Sequence, residues 1–252
     1  MVAANAWVWR HILTQISGVM MDDFSNKSFI CDAATVIVLR HRDTHPCVLM
    51  GQRGATAAFM PNKYVFPGGA VDRGDDAISL GRALSDLDAG RLAEHSTRAP
   101  TTLAAAAIRE LWEETGQILG TPAPWVDAPQ GWRGFAHSGH RPDASALRFV
   151  FRAVTPHGSP RRFDARFFMV EAEHLVTDPD DFKNAEDELG HLHWVPLTDA
   201  RRLDLPFITE IVLAEIASGL HWDGSPHTIP FFRNDDEAHL VTRLGGVNLL
   251  DG

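Results

Sequence analysis

Cysteine is nearly absent from this chain. Cys31 and Cys47 are the two among 252 residues, which excludes a disulfide framework or a cysteine-built zinc site and fits a reducing cytosol. Positive charge is also short: 23 Lys and Arg against 33 Asp and Glu leave a formal net charge of −10. Unspecific nucleic-acid binding needs cations to neutralise phosphates, so that class is disfavoured. Long apolar runs are missing. Residues 7–13 are apolar but broken by Arg10 and His11, too short to span a bilayer and followed by no small-residue cleavage site. Neither an internal repeat nor a C-terminal address signal is found. A cytoplasmic protein with no membrane partner is the expectation.

The chain does contain an ordinary globular mixture, 44% hydrophobic and 22% charged, enough for a real core in one embellished domain or two small ones. Residues 34–39 and 47–50 read as paired strands around a turn at His45-Pro46. Residues 54–63 read as a loop and Tyr64-Val65-Phe66 as a short strand, stopped by Pro67-Gly68-Gly69. Ile78, Leu80, Leu84, Leu87 and Leu92 predict a helix over 76–93. Residues 121–146 predict a long loop carrying Trp125, Trp132 and Phe135. Further strands are expected at 147–153, 166–170, 192–197 and 228–232, with a helix from about Pro206 to Ala217. Strands and helices mix without a βαβ rhythm, an α+β pattern with a mixed sheet.

One helix stands apart. Pro100-Thr101-Thr102 marks its start and Gly116 its C-cap. Glu110, Glu113 and Glu114 then share a stripe of about 100°, opposite Ala104, Ala105, Ile108, Leu111 and Trp112. Like charges at these spacings cost roughly 0.2–0.5 kcal/mol per pair, and they crowd the negative end of the helix dipole. A hard divalent cation such as Mg²⁺ or Mn²⁺, which prefers oxygen ligands, would reconcile them.

Two segments carry a resemblance. Gly69 is followed by Asp75 after five residues, and Arg109-Glu110-Leu111-Trp112-Glu113-Glu114-Thr115-Gly116 lies further on. The pair resembles the box of the Nudix hydrolase family: Gly, five residues, Glu, seven residues, then Arg-Glu-(apolar)-x-Glu-Glu-x-Gly. The first acid is Asp here, Gln117 replaces an apolar residue, and Asp75 and Arg109 are 34 positions apart, against 8 in the common box. An insertion at this point looks like the peroxisomal coenzyme A diphosphatase branch and its bacterial relatives. Residues 51–61 and Arg161-Arg162-Phe163-Asp164-Ala165-Arg166-Phe167-Phe168 add to that likeness. Ala58 and Asn62 depart from that branch's signature, where Arg and Gly are usual.

The resemblance implies a Nudix-type mixed sheet sandwiched between helices, with a helical insertion (76–100) inside the box. Residues 1–28 are expected to be an appendage, 29–220 the domain, and 221–252 a tail packing on it. Deleting 77–98 is expected to alter substrate choice more than metal binding. The implied reaction is metal-dependent hydrolysis of a diphosphate in a nucleoside diphosphate linked to another moiety, CoA or acyl-CoA first. ADP-ribose, NADH or a dinucleotide is the alternative substrate, and a weakly catalytic phosphate-ligand domain the alternative role. Glu110, Glu113 and Glu114 would hold Mg²⁺ or Mn²⁺, and Arg109 would clamp an acid to loop carbonyls. Gly68 and Gly69 would let backbone approach metal and phosphate. The base would be Glu113 of the box or an acid of the later loop, Glu188 or Glu186. Arg53, Arg161, Arg162 and Arg166 are candidate phosphate contacts; Arg53 has the family match, and a surface or fold-clamping role is the alternative for the other three. His191 and His193 are assigned no metal. The expected partner is a phosphorylated small molecule, not nucleic acid, with the protein a monomer or homodimer.

Overall fold

The computed structural model describes residues 29–221 except Ala58, together with 226, 228–234 and 241–245. The expected appendage, residues 1–28, lies outside the described residues, as does most of the expected tail. Among the described residues, nine strands form one mixed sheet in the order β11-β10-β7-β8-β1-β2-β3, with β4 on β1 and β9 on β2. Ranges are β1 Ile30–Arg40, β2 Cys47–Arg53, β3 Tyr64–Val65, β4 Gly68–Ala70, β7 Arg148–Val154, β8 Arg162–Glu171, β9 Leu189–Pro196, β10 Ile229–Phe232 and β11 Val241–Leu244. The β1/β8 and β7/β10 pairs are parallel, the others antiparallel. Four α-helices are present among the described residues: α1 Asp86–Ala93, α2 Pro100–Thr115, α3 Arg133–His137 and α4 Phe207–Ser218.

Alternation along β1 divides the core. Ala34, Val36 and Val38 face α2, whereas Ile37 and Leu39 face α4 with Val212 and Ile216. Strand period two thus gives one sheet a helix on each face. A bulge between Phe149 and Phe151 on β7 turns both Val150 and Phe151 toward the α4 side. On α2, Leu103, Ala104, Ala105, Ile108 and Leu111 are fully buried. The α-helix starts with Pro100 in its first turn and ends at Gly116, whose φ is 71°. A Cβ there would also lie 3.0 Å from the Asn184 backbone.

Two expectations are corrected. The helix predicted over 76–93 is confined to Asp86–Ala93, after a 3-10 turn at Arg73–Ala77 and an extended stretch. Ser85 caps it, its side chain accepting the Asp88 N–H at 3.1 Å. Ahead of the cap, Gly81 N–H donates to the Pro142 carbonyl at 2.7 Å, so tertiary pairing overrides the apolar periodicity. The long loop at 121–146 contains β5 Gly120–Pro122 paired with β6 His140–Pro142, and α3 between them. Its Trp132 and Phe135 are buried beside Trp112, so they pin the segment to the core.

The insertion is not peripheral. Ile78, Leu84 and Leu92 sit in the core cluster under α2, and Asp88 Oδ1 accepts the Phe149 N–H of β7 at 3.2 Å. Deleting residues 77–98 should therefore abolish the cooperative thermal transition instead of merely changing substrate choice. A deletion variant that melts cooperatively near the wild-type temperature would refute this. Ile108→Ala should cost about 2–5 kcal/mol in denaturant unfolding, since its side chain is wholly enclosed.

Candidate active site

The acid stripe of α2 faces β4, not solvent. Glu114 Oε2 accepts the Gly68 N–H at 2.7 Å, which joins the C-terminal turn of α2 to the glycine pair. A Cβ on Gly69 would lie 2.5 Å from Glu110 Oε2, and one on Gly68 would lie 2.6 Å from the Ala34 carbonyl. Neither glycine could carry a side chain without displacing a carboxylate or the β1 backbone.

Arg109 ties the parts together. Its Nε and Nη2 each donate to Asp75 at 3.0 Å, and Nη2 also donates to the Ala70 carbonyl at 2.9 Å. Nη1 donates to Glu110 at 2.7 Å and Glu113 at 2.9 Å. One buried cation thus spans the 3-10 turn, β4 and two acids of its own helix. Burial alone would lower its pKa, but the Asp75 hydrogen bonds and the charges of Glu110, Asp75 and Glu113 raise it, so it stays protonated.

One arginine does not neutralise three glutamates. Desolvation raises Glu110 to about 7, partly offset by Arg109 and reinforced by Glu113 and Glu188. Glu114 is pushed well above the carboxylate range, first by burial and then by Glu110, with the Gly68 N–H pulling the other way. Glu113 is also raised by burial, with Glu186 and Asp72 adding to the effect and Arg109 opposing it. Among the described residues no three His, Cys, Asp or Glu side chains form a ready-made cage for an ion. The donor set nevertheless suits a hard divalent cation: oxygen only, excess negative charge, partial burial and a cradle that a Cβ would fill.

The other predicted residues divide. Arg53 Nη2 donates to Glu188 at 3.2 Å and its Nε to the Phe59 carbonyl at 3.0 Å. Glu188 is near enough for its charge to raise Glu110 and Glu114. Glu186 reaches the site through its backbone, its N–H donating to the Glu113 carbonyl at 2.7 Å. Arg166 is placed elsewhere. It is 1% exposed, with Asp32 Oδ1 at 2.5 Å, the Asp164 carbonyl at 2.7 Å and Ser96 Oγ at 3.0 Å. Burial with internal partners fits the fold-clamping alternative for Arg166. Arg162 is likewise buried, its Nε donating to the Thr155 carbonyl at 3.0 Å, whereas Arg161 is exposed. His193 Nδ1 faces the His191 carbonyl at 2.7 Å.

Asp72, Asp76, Thr102 and Arg98 were not singled out by the sequence. Asp72 and Asp75 form a capping box on the 3-10 turn, and Asp-x-x-Asp at the glycine turn is the signal that could have shown it.

The chain matches no family model. It is 28% identical over 186 residues to a Caenorhabditis elegans protein named "Putative nudix hydrolase 7", covering 65% of this chain and 50% of that protein. The chain thus spans about half the length of that curated relative. The crystal structure of a NUDIX hydrolase from Alicyclobacillus acidocaldarius superposes with a TM-score of 0.57 at 25% identity, covering 78% of this chain and 98% of that one.

In the metal-free protein Glu110 binds protons more tightly folded than unfolded, so ionising it opposes folding. Stability should therefore fall as pH rises from about 5 to 7 in EDTA, and saturating Mn²⁺ should flatten that fall. Glu114→Gln should hold or raise the EDTA melting temperature while cutting the Mn²⁺-induced rise. A melting temperature that climbs over this pH range in EDTA would contradict the buried, uncompensated carboxylates. Sheet architecture and these likenesses together give the chain the Nudix fold, and its sequence is similar to that of a Nudix hydrolase relative.

Proposed function

We propose that the protein is a Nudix-type diphosphatase that uses Mg²⁺ or Mn²⁺ to hydrolyse a nucleoside diphosphate linked to another moiety. The observation carrying this is the pairing of desolvated Glu110 and Glu114 with the side-chain-free backbone of Gly68 and Gly69. Carboxylates in that position are unfavourable alone and favourable beside a cation and a phosphate.

Glu110, Glu113 and Glu114 would hold the ion, which when bound neutralises phosphate oxygens and stabilises the charge that develops on them. The rest is the work of this chain's own groups. Arg109 holds Glu110 and Glu113 at a fixed separation from β4. Gly68 and Gly69 admit the diphosphate close to the backbone. Glu188, held by Arg53, takes a proton from the attacking water as its oxygen bonds to phosphorus and the bridging oxygen departs with the second phosphate. Glu113 is the alternative base, but its Arg109 contact makes it the weaker candidate. Arg53 serves as a phosphate contact or as the group that orients Glu188.

CoA or an acyl-CoA is the proposed substrate, resting on the likeness of residues 51–69 to that branch. ADP-ribose, NADH or a dinucleotide is the alternative. Purified protein with Mn²⁺ or Mg²⁺ should release phosphorylated products from at least one of these compounds. Silence on all of them with either metal would defeat the proposal. Glu114→Gln should lower kcat by about 10²-fold or more, by loss of one ligand charge at constant volume. Arg53→Ala should raise KM if it grips phosphate and lower kcat if it orients Glu188. Unchanged constants would make it a bystander.

A further inference from the structure

Asp75 and Asp76 are adjacent, yet they grip α2 at two points. Asp75 takes Arg109, while Asp76 Oδ1 accepts from Thr102 Oγ1 at 2.9 Å. Thr102 and Arg109 are seven residues apart, hence two turns apart on one helix face. Arg98 Nη1 also reaches Asp76, at 3.3 Å, and its Nε donates to Asp32 Oδ2 at 3.1 Å. The Asp32 carbonyl in turn accepts the Val71 N–H at 2.9 Å. Val71 follows Ala70, whose carbonyl accepts from Arg109.

These contacts close a ring: Asp32, Val71, Ala70, Arg109, Asp75, Asp76, Arg98 and back to Asp32. The insertion leaves the box at Asp76 and returns at Arg98, so this ion pair is its neck. The neck ties the 3-10 turn bearing Asp75 to the chain entering α2 through Arg98, beside the Thr102 contact to the helix itself.

We propose that Arg98 is a positioning residue, closing the neck of the insertion so that Asp75 holds Arg109, and through it Glu110 and Glu113, in register with β4. The proposal rests on the hydrolase reading above and adds a part to it. Arg98 touches none of the box acids except through Asp76, and it is about a third exposed. Exposed ion pairs contribute little to stability. Its effect therefore belongs to geometry, where a shift of about 1 Å can cost about 10²-fold in rate.

The test compares Arg98→Ala, Asp76→Asn, Arg98→Lys and, as a control, Arg82→Ala. Arg82 pairs with Asp143 on the outer part of the insertion, so its loss removes an ion pair without opening the neck. Arg98→Ala and Asp76→Asn should each lower kcat about tenfold, with KM within about twofold and EDTA melting within a few degrees. Arg98→Lys should recover part of the rate, and Arg82→Ala should leave kcat unchanged. Wild-type kcat in both neck variants would overturn the proposal, as would kcat, KM and melting temperature collapsing together in Asp76→Asn. If the wild type hydrolyses no diphosphate, the hydrolase reading itself fails. The Mn²⁺ concentration for half-maximal thermal stabilisation then decides. A severalfold increase in Arg98→Ala supports the neck, and no change refutes it.

Discussion

Everything in the candidate site depends on one buried cation serving more acids than it can neutralise. The Arg109 guanidinium meets Asp75, Glu110, Glu113 and the Ala70 carbonyl at once. That geometry needs a planar, permanently charged fork, and lysine would offer a point charge to one or two of these partners. Glu114 lies outside its grasp and is instead held by a single backbone N–H. The result is a rigid frame with negative charge left over. Rigidity and residual charge together are what the proposed cation site requires, because a loose cluster of acids would relax into solvent.

The sheet explains why the frame can be so tight. β4 pairs with β1 at Ala33–Thr35 while α2 packs on the same strand through Ala34 and Val36. Small residues on α2, four alanines in succession at 104–107, let the helix lie close to that strand. Glycine on β4 and alanine on α2 thus act together: each removes side-chain volume at the place where backbone and carboxylate must approach. Glu110 and Glu114 are buried where α2 meets β4, and Glu113 is half-buried beside them.

The insertion changes the usual economy of this motif. Lengthening a loop costs only slowly growing entropy, but a free loop would leave Asp75 and Arg109 joined by little besides their own contact. Here the added residues contribute Ile78, Leu84 and Leu92 to the core and return through Arg98 beside Asp76. The extra chain is thus built into the wall of the site and into the network on β1 and β8, where Arg166 and Asp32 meet.

By itself the sequence determined the strand alternation on β1, the limits of α2 from Pro100 to Gly116, and the acid stripe opposite an apolar face. These are legible because period two, period 3.6 and caps are local properties of neighbouring residues. The glycine pair and Arg109 were likewise readable as parts of one motif. Tertiary structure decided the rest. It broke the predicted 76–93 helix at Ser85, built α3 and the β5/β6 pair within a presumed loop, and turned Arg166 inward. It also brought Asp32, Asp76 and Arg98 around the box. These outcomes depend on which distant backbone group or charge competes for each side chain. That competition is set by packing across the sheet, which no local pattern records.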